Sequence, residues 1–179
     1  EGVDVTPTPG SSFPISVPAT VVLASKVLVA AGDYAAEDVL SESTSVGTPF
    51  SFPAIISKQG GNGTITKAIA LCTTTALTPR ITVYLYKGNP TSNLNDNAAN
   101  TAVLTADRGI YVGRLDFPAM QDLGGNSEAI LVPGDVGMPL EFDCAPGENI
   151  LRGIAVTRDV ITGEAAGMQL AIKLFAREG

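Results

Sequence analysis

Asp116, Glu141 and Asp143 are the side chains of this 179-residue chain best suited to do chemistry unaided. Glycoside hydrolysis needs only two carboxyl groups, one to protonate the leaving oxygen and one to serve as nucleophile or base. It therefore survives a sequence without a single histidine, the usual general base and triad member at neutral pH. The setting argues against it. Glu141 and Asp143 alternate with Leu140 and Phe142, so they are expected on the solvated face of a strand. No tryptophan exists anywhere in the chain to act as a sugar platform. No serine or cysteine has a base that the sequence can identify. A catalytic site is not expected.

Ligand-binding motifs fare no better. The run Asn93-Leu94-Asn95-Asp96-Asn97 has the look of a calcium loop, but it carries one carboxylate. The glycine and glutamate that an EF-hand requires at its sixth and twelfth positions are replaced by Ala98 and Leu104. Asn and Asp also bond their own backbone in loops, and that use is expected here. Gly60-Gly61-Asn62-Gly63 lacks the Gly-Lys-Ser/Thr ending and the following helix of a phosphate cradle, so a hairpin turn is expected. Asn62-Gly63-Thr64 fits a glycosylation acceptor, which matters only in a secreted eukaryotic chain. The neighbours Asp107-Arg108 and Arg158-Asp159 read as surface or interface ion pairs.

Cys72 and Cys144 form no CxxC pair and have no histidine partner, so no zinc site is expected. Cys144 continues the inward alternation of Leu140 and Phe142. Cys72 follows Thr66, Ala68 and Ala70 on the smaller-residue face of its strand. Two readings stay open: two buried free thiols, or one disulfide joining Cys72 to Cys144. No cofactor or metal is implied.

The elements that would position these residues read as β. Ile65, Lys67, Ile69 and Leu71 share one face by alternation, as do Ile81, Val83 and Leu85 with Thr82, Tyr84 and Tyr86 opposite. Tyr111, Gly113, Leu115 and Phe117 alternate with Ile110, Val112, Arg114 and Asp116. Met168, Leu170, Ile172 and Leu174 alternate with Gln169, Ala171 and Lys173. Further strands are expected at 21–29, 50–56, 129–132, 140–143 and 151–157. Tyr34 to Leu40 reads as a turn of helix, and Asn95 to Asp107 as a short helix or loop. Turns fall at Gly60–Gly63, Lys87–Pro90, Gly124–Asn126 and Pro146-Gly147. The fold class expected is an all-β antiparallel sandwich, jelly-roll-like, over residues 19–179.

Residues 1–18 differ. Prolines at 7, 9, 14 and 18 exclude helix and central strand. Val3, Val5, Phe13, Ile15 and Val17 are too apolar for a free tail. An extended N-terminal arm is expected, lying along a neighbour or forming an edge strand of its own domain.

Composition bounds the partners. Hydrophobic residues make up 45% of the chain and charged residues only 16%, so much of the surface is expected to be covered by other subunits. The net charge is -7, with eleven scattered basic residues. Neither a nucleic-acid surface nor docking on an anionic membrane is expected.

Several stretches carry a resemblance. They are Leu77-Thr78-Pro79-Arg80-Ile81-Thr82-Val83-Tyr84-Leu85-Tyr86, the following Asn89-Pro90-Thr91-Ser92 and Asn93 to Asn100, Tyr111 to Ala119, and Gly153 to Asp159. Together they resemble virion structural proteins of tailed bacteriophages. The similarity runs from about Lys26 to the C-terminus, and Val5 to Gly10 is also of a kind seen near the starts of such proteins. The Asn-rich loop is its most specific part. The resemblance implies a non-enzymatic capsid decoration (cement) protein on the phage head. Its partners would be the major capsid protein or other virion proteins, with homo-oligomers, commonly trimers, and an assembly arm. A tail, collar or fibre component, such as a receptor-binding jelly-roll module, is the alternative.

Overall fold

The computed structural model describes residues 19–29, 33–74, 77–162 and 167–179. The arm residues Val3, Val5, Phe13, Ile15 and Val17 lie outside the described residues. Eleven strands follow in order: β1 Thr20–Val27, β2 Val39–Leu40, β3 Phe50–Phe52, β4 Asn62–Cys72, β5 Ile81–Tyr86, β6 Tyr111–Phe117, β7 Gln121–Asp122, β8 Ser127–Leu131, β9 Leu140–Asp143, β10 Leu151–Thr157 and β11 Gln169–Glu178. The strands pair antiparallel in two sheets, a β-sandwich as expected. One sheet runs β1-β11-β4-β8-β7, with β9 beside β8 along the same edge of β4. The other runs β2-β10-β5-β6, with β3 beside β2 on β10.

The pairing is nested. β5 pairs β6, β4 pairs β8 and β9, β2 and β3 pair β10, and β1 pairs β11. Successive nested pairs alternate between the sheets, so one long hairpin is rolled into a sandwich. That is the jelly-roll arrangement.

The core lies between the sheets. β11 contributes Leu170, Ile172, Leu174 and Ala176, and β4 contributes Ile65, Ala68, Ala70 and Cys72. Across from them stand Phe50, Phe52, Val83, Leu85, Leu115 and Leu151. The alternation expected for Ile81, Val83 and Leu85 and for Leu170, Ile172 and Leu174 is the one observed.

Two alternations break, each at a β-bulge. On β4, Lys67 pairs Phe175 but Ile65 pairs Ala176, leaving Thr66 as the extra residue. Strand parity flips there. Ile65 points into the core, while Lys67, Ile69 and Leu71 turn to the outer face, so these four do not share a face. On β6, Gly113 pairs Leu85 but Tyr111 pairs Tyr86, with Val112 extra. Val112 therefore packs on the main core, and Tyr111 joins the opposite face with Tyr84 and Tyr86.

Tyr34 to Leu40 is not helical. Tyr34 bridges Ile161, and Val39 and Leu40 pair β10. The segment turns at Glu37, whose φ is 74°, because its backbone is claimed by β10 on one side and by Ala98 and Asn100 on the other. The stretch 95–107 is a loop closed by a 3-10 turn at Thr105–Asp107.

Candidate functional site

The three candidate carboxylates are not assembled into a site. Glu141 and Asp143 are exposed on β9 and line an open groove of about 460 Å³ with Tyr111 and Val112. Asp116 lines a different groove, with Phe117, Ile130 and Val136. Asp143 is held by Lys87 Nζ at 2.6 Å. Asp116 accepts from Thr82 Oγ1 at 2.8 Å and pairs with Arg114 Nε at 2.7 Å. Each of these two carboxylates is occupied by a neighbouring cation, which suits holding strands together rather than moving protons.

The thiols are equally quiet. Cys72 and Cys144 are free and almost fully buried, with no bridge between them. Burial pushes the Cys72 thiol up to about 12, and burial with nearby carboxylates pushes Cys144 to about 11. Neither is a thiolate at neutral pH, so neither is a ready nucleophile or metal ligand. Among the described residues no cluster of Cys, Asp and Glu is arranged to hold a metal ion.

The Asn-rich loop does structural work that the sequence only half shows. Its amides bond locally as expected: Asn93 Oδ1 accepts from Asn95 N, and Asn100 Oδ1 from Ala102 N. Its one carboxylate reaches further. Asp96 is buried; Oδ1 accepts from Ser41 N at 2.7 Å, and Oδ2 accepts from Tyr34 Oη at 2.9 Å and Val29 N at 3.2 Å. Asp107 is buried too. It accepts from Thr91 N and Oγ1 on one oxygen and from Ser92 N and Oγ on the other, all within 2.9 Å. Burial alone would raise the Asp107 pKa, but the donors from Ser92 and Thr91 more than offset it and hold the carboxyl low.

Asp107-Arg108 is thus not an ion pair. Asp107 is spent on the backbone of its own loop. Arg158 and Asp159 do form surface ion pairs, though not with each other: Arg158 meets Glu37 and Asp159 meets Arg80.

The two buried carboxylates fix a loop that has one large consequence. Leu94, Ala102, Val103, Ile110 and Tyr111 pack over Val39, Tyr84, Tyr86, Ile154 and Val156, on the face of the β2-β10-β5-β6 sheet that points away from the core. That is why every residue of β5 is buried. The outer face of this sheet is closed by the chain itself.

The outer face of the other sheet carries no such cover among the described residues. Two of its cross-strand rows are mostly apolar, and the row beside them holds Ser25, Ala171, Leu71 and Glu128. Leu23, Lys173, Ile69 and Ile130 stand in one row, and Val21, Phe175 and Lys67 in the next. Leu23 is 57% exposed, and Val21 and Val27 are each 48% exposed. An exposed strand valine or leucine is ordinary when alone, but a contiguous row is not. Three cations share this face: Lys67, Lys173 and Arg177. None of them makes an ion pair among the described residues, nor do Lys58 and Arg108, whereas Lys26, Arg80, Lys87, Arg114, Arg152 and Arg158 all do. The ammonium groups of Lys67 and Lys173 lie 5.2 and 5.3 Å from the centroid of one ring, Phe175. Sequence reasoning missed this face because the bulge at Thr66 is what turns Ile69 and Leu71 outward.

No protein-family model and no curated protein matches the chain. Solved structures do match. One is the structure of a marine algae virus of the order Picornavirales, with a TM-score of 0.33 and 12% identity over 92% of this chain and 70% of that one. Another is the full particle of Israeli acute paralysis virus heated to 63 degrees, with a TM-score of 0.34 and 12% identity over 99% of this chain and 79% of that one. The fold assignment rests on the strand pairing itself.

Proposed function

We propose that this protein is a non-enzymatic structural component of a virion, and specifically a decoration protein that binds and stabilises the head shell of a tailed bacteriophage. The observation that carries the reading is the asymmetry of the sandwich. One outer face is closed by the chain's own loop, and the other presents a largely apolar surface whose Lys67 and Lys173 stack on Phe175 without an ion-pair partner among the described residues. Burying half-exposed Val21, Leu23 and Val27 alone is worth on the order of 3 kcal/mol, which is stabilising only if something covers them. The sequence resemblance points the same way. Asp116 and Asp143 are held by cations and both thiols are buried, which suits a structural role.

In this reading the body sits on the shell as a homo-oligomer, with a trimer favoured, and the arm of residues 1–18 engages a neighbour through Val3, Val5, Phe13, Ile15 and Val17. Single contacts of this kind are weak, because association costs several kcal/mol before any gain appears. Many copies on one shell compensate by avidity.

Co-sedimentation of the full chain with phage heads that lack it tests the reading, scored for copies bound per shell. Saturable binding at a stoichiometric multiple of the capsid subunits is expected. Binding of only a few copies per particle, or none, would remove the decoration role and move the protein to the tail or collar.

A further inference from the structure

We infer that the uncovered face of the β1-β11-β4-β8 sheet is the seat of the N-terminal arm, residues 1–18, of a neighbouring copy. The inference rests on the assembly reading above and names the surfaces that meet.

Charge and apolar pattern match between the two. The arm carries two charges, Glu1 and Asp4, both acidic, with apolar side chains at alternate positions 13, 15 and 17. Around Phe175 the face carries Lys67 and Lys173 without ion-pair partners among the described residues, set among Val21, Leu23, Ile69 and Ile130, while its acids Glu128 and Glu141 stand on the flanking strands β8 and β9. Two ammonium groups, 5.2 and 5.3 Å from the centroid of one phenyl ring, repel each other. An incoming carboxylate between them relieves that repulsion.

Reach is sufficient. An extended strand advances about 3.3 Å per residue, and four paired strands are roughly 15 Å across. Residues 3–17 could therefore span about 45 Å, enough to cross the sheet and still bridge from another molecule.

The donor is a neighbour rather than the same chain because of Pro18. The described chain starts at Ala19 and enters β1 at Thr20, the edge strand of this sheet. Folding the arm straight back over its own β1 requires a tight reversal around residues 18 and 19. Two-residue hairpin turns place their first residue at positive φ, and proline is locked near -65°. Val17, preceding a proline, is driven to extended geometry as well. A two-residue hairpin onto its own β1 is therefore disfavoured.

The test uses the full chain with paired cysteines, Phe13→Cys with Ile69→Cys and Val5→Cys with Leu23→Cys. Cys72 and Cys144 are buried and stay out of the reaction. Oxidation is read on a non-reducing gel. Disulfide-linked multimers are expected from at least one pair, and none when Phe13→Cys is paired instead with Val46→Cys, an exposed position off this face. A linked monomer would show that the arm covers its own sheet and would overturn the neighbour as donor. No linkage from either pair would overturn the face as the seat.

A second variant guards against misfolding of the first. Lys67→Glu with Lys173→Glu is expected to weaken self-association by about ten-fold, the worth of two exposed ion pairs lost and reversed, and Asp4→Lys to restore part of it. Unchanged association would contradict the inference. Multimers that form but do not bind heads would leave the seat standing and remove the head-decoration role instead.

Discussion

At the scale of residues, this molecule spends its buried acids on architecture. Asp107 gathers two backbone N–H groups and two hydroxyls onto one carboxylate with no cation beside it. Asp107→Ala would leave those donors buried and unmet, and it is expected to cost about 3 kcal/mol, read from chemical unfolding. Glu42 behaves similarly nearer the surface. Burial would raise its pKa, but hydrogen bonds from Lys26, Thr48 and Ser41 bring it down to about 2 from an ordinary 4.5. Its partner Lys26 is lowered by burial, which outweighs the pull of Glu42. A carboxyl lowered on folding contributes stability that is present above its unfolded pKa and lost as pH falls toward the folded one. The melting temperature is therefore expected to fall as pH drops from about 4.5 to about 2, and less steeply in Glu42→Gln. A melting temperature level across that window would contradict this assignment.

At the scale of elements, what alternation reveals and what it hides can be told apart. The faces of β5 and β11 follow from period two because their inward residues meet one continuous core. Those of β4 and β6 do not, because Thr66 and Val112 are bulge residues, the first with no adjacent glycine or proline to mark it and the second marked only by Gly113. Their positions are set by pairing with Phe175–Ala176 and Leu85–Tyr86, distant in sequence. The same distance hid the role of Asp96, whose donors Ser41, Tyr34 and Val29 lie 55 to 67 residues away. The Asn-rich stretch was legible as a loop, but not as a cover for a sheet. Its seating depends on Gly47, where an added Cβ would lie 1.8 Å from the Leu94 carbonyl oxygen. Gly47→Ala is expected to lift the loop and cost roughly 1–3 kcal/mol. Tyr84 and Tyr86 lie beneath the cover, Tyr111 packs against them, Tyr34 is bonded to Asp96, and the chain has no other tyrosine and no tryptophan. Near-UV circular dichroism of tyrosine therefore reports the cover directly. An unchanged tyrosine spectrum with unchanged stability would show that the loop is not seated this way.

At the scale of the whole molecule, the two outer faces of the sandwich define how the protein works. One is closed from within by the loop that Asp96 and Asp107 fix. Among the described residues the other stays largely apolar, with Lys67 and Lys173 on its central strands stacked on Phe175 and without ion pairs. The account holds that this body is completed by association. The most direct measurement is the mass of the purified full chain by analytical ultracentrifugation, beside the same chain carrying Leu23→Lys and Ile69→Lys. The account predicts a defined oligomer at micromolar concentration that falls to a folded monomer in the double variant. A full chain that is monomeric under those conditions, or an oligomer indifferent to the two lysines, would contradict it.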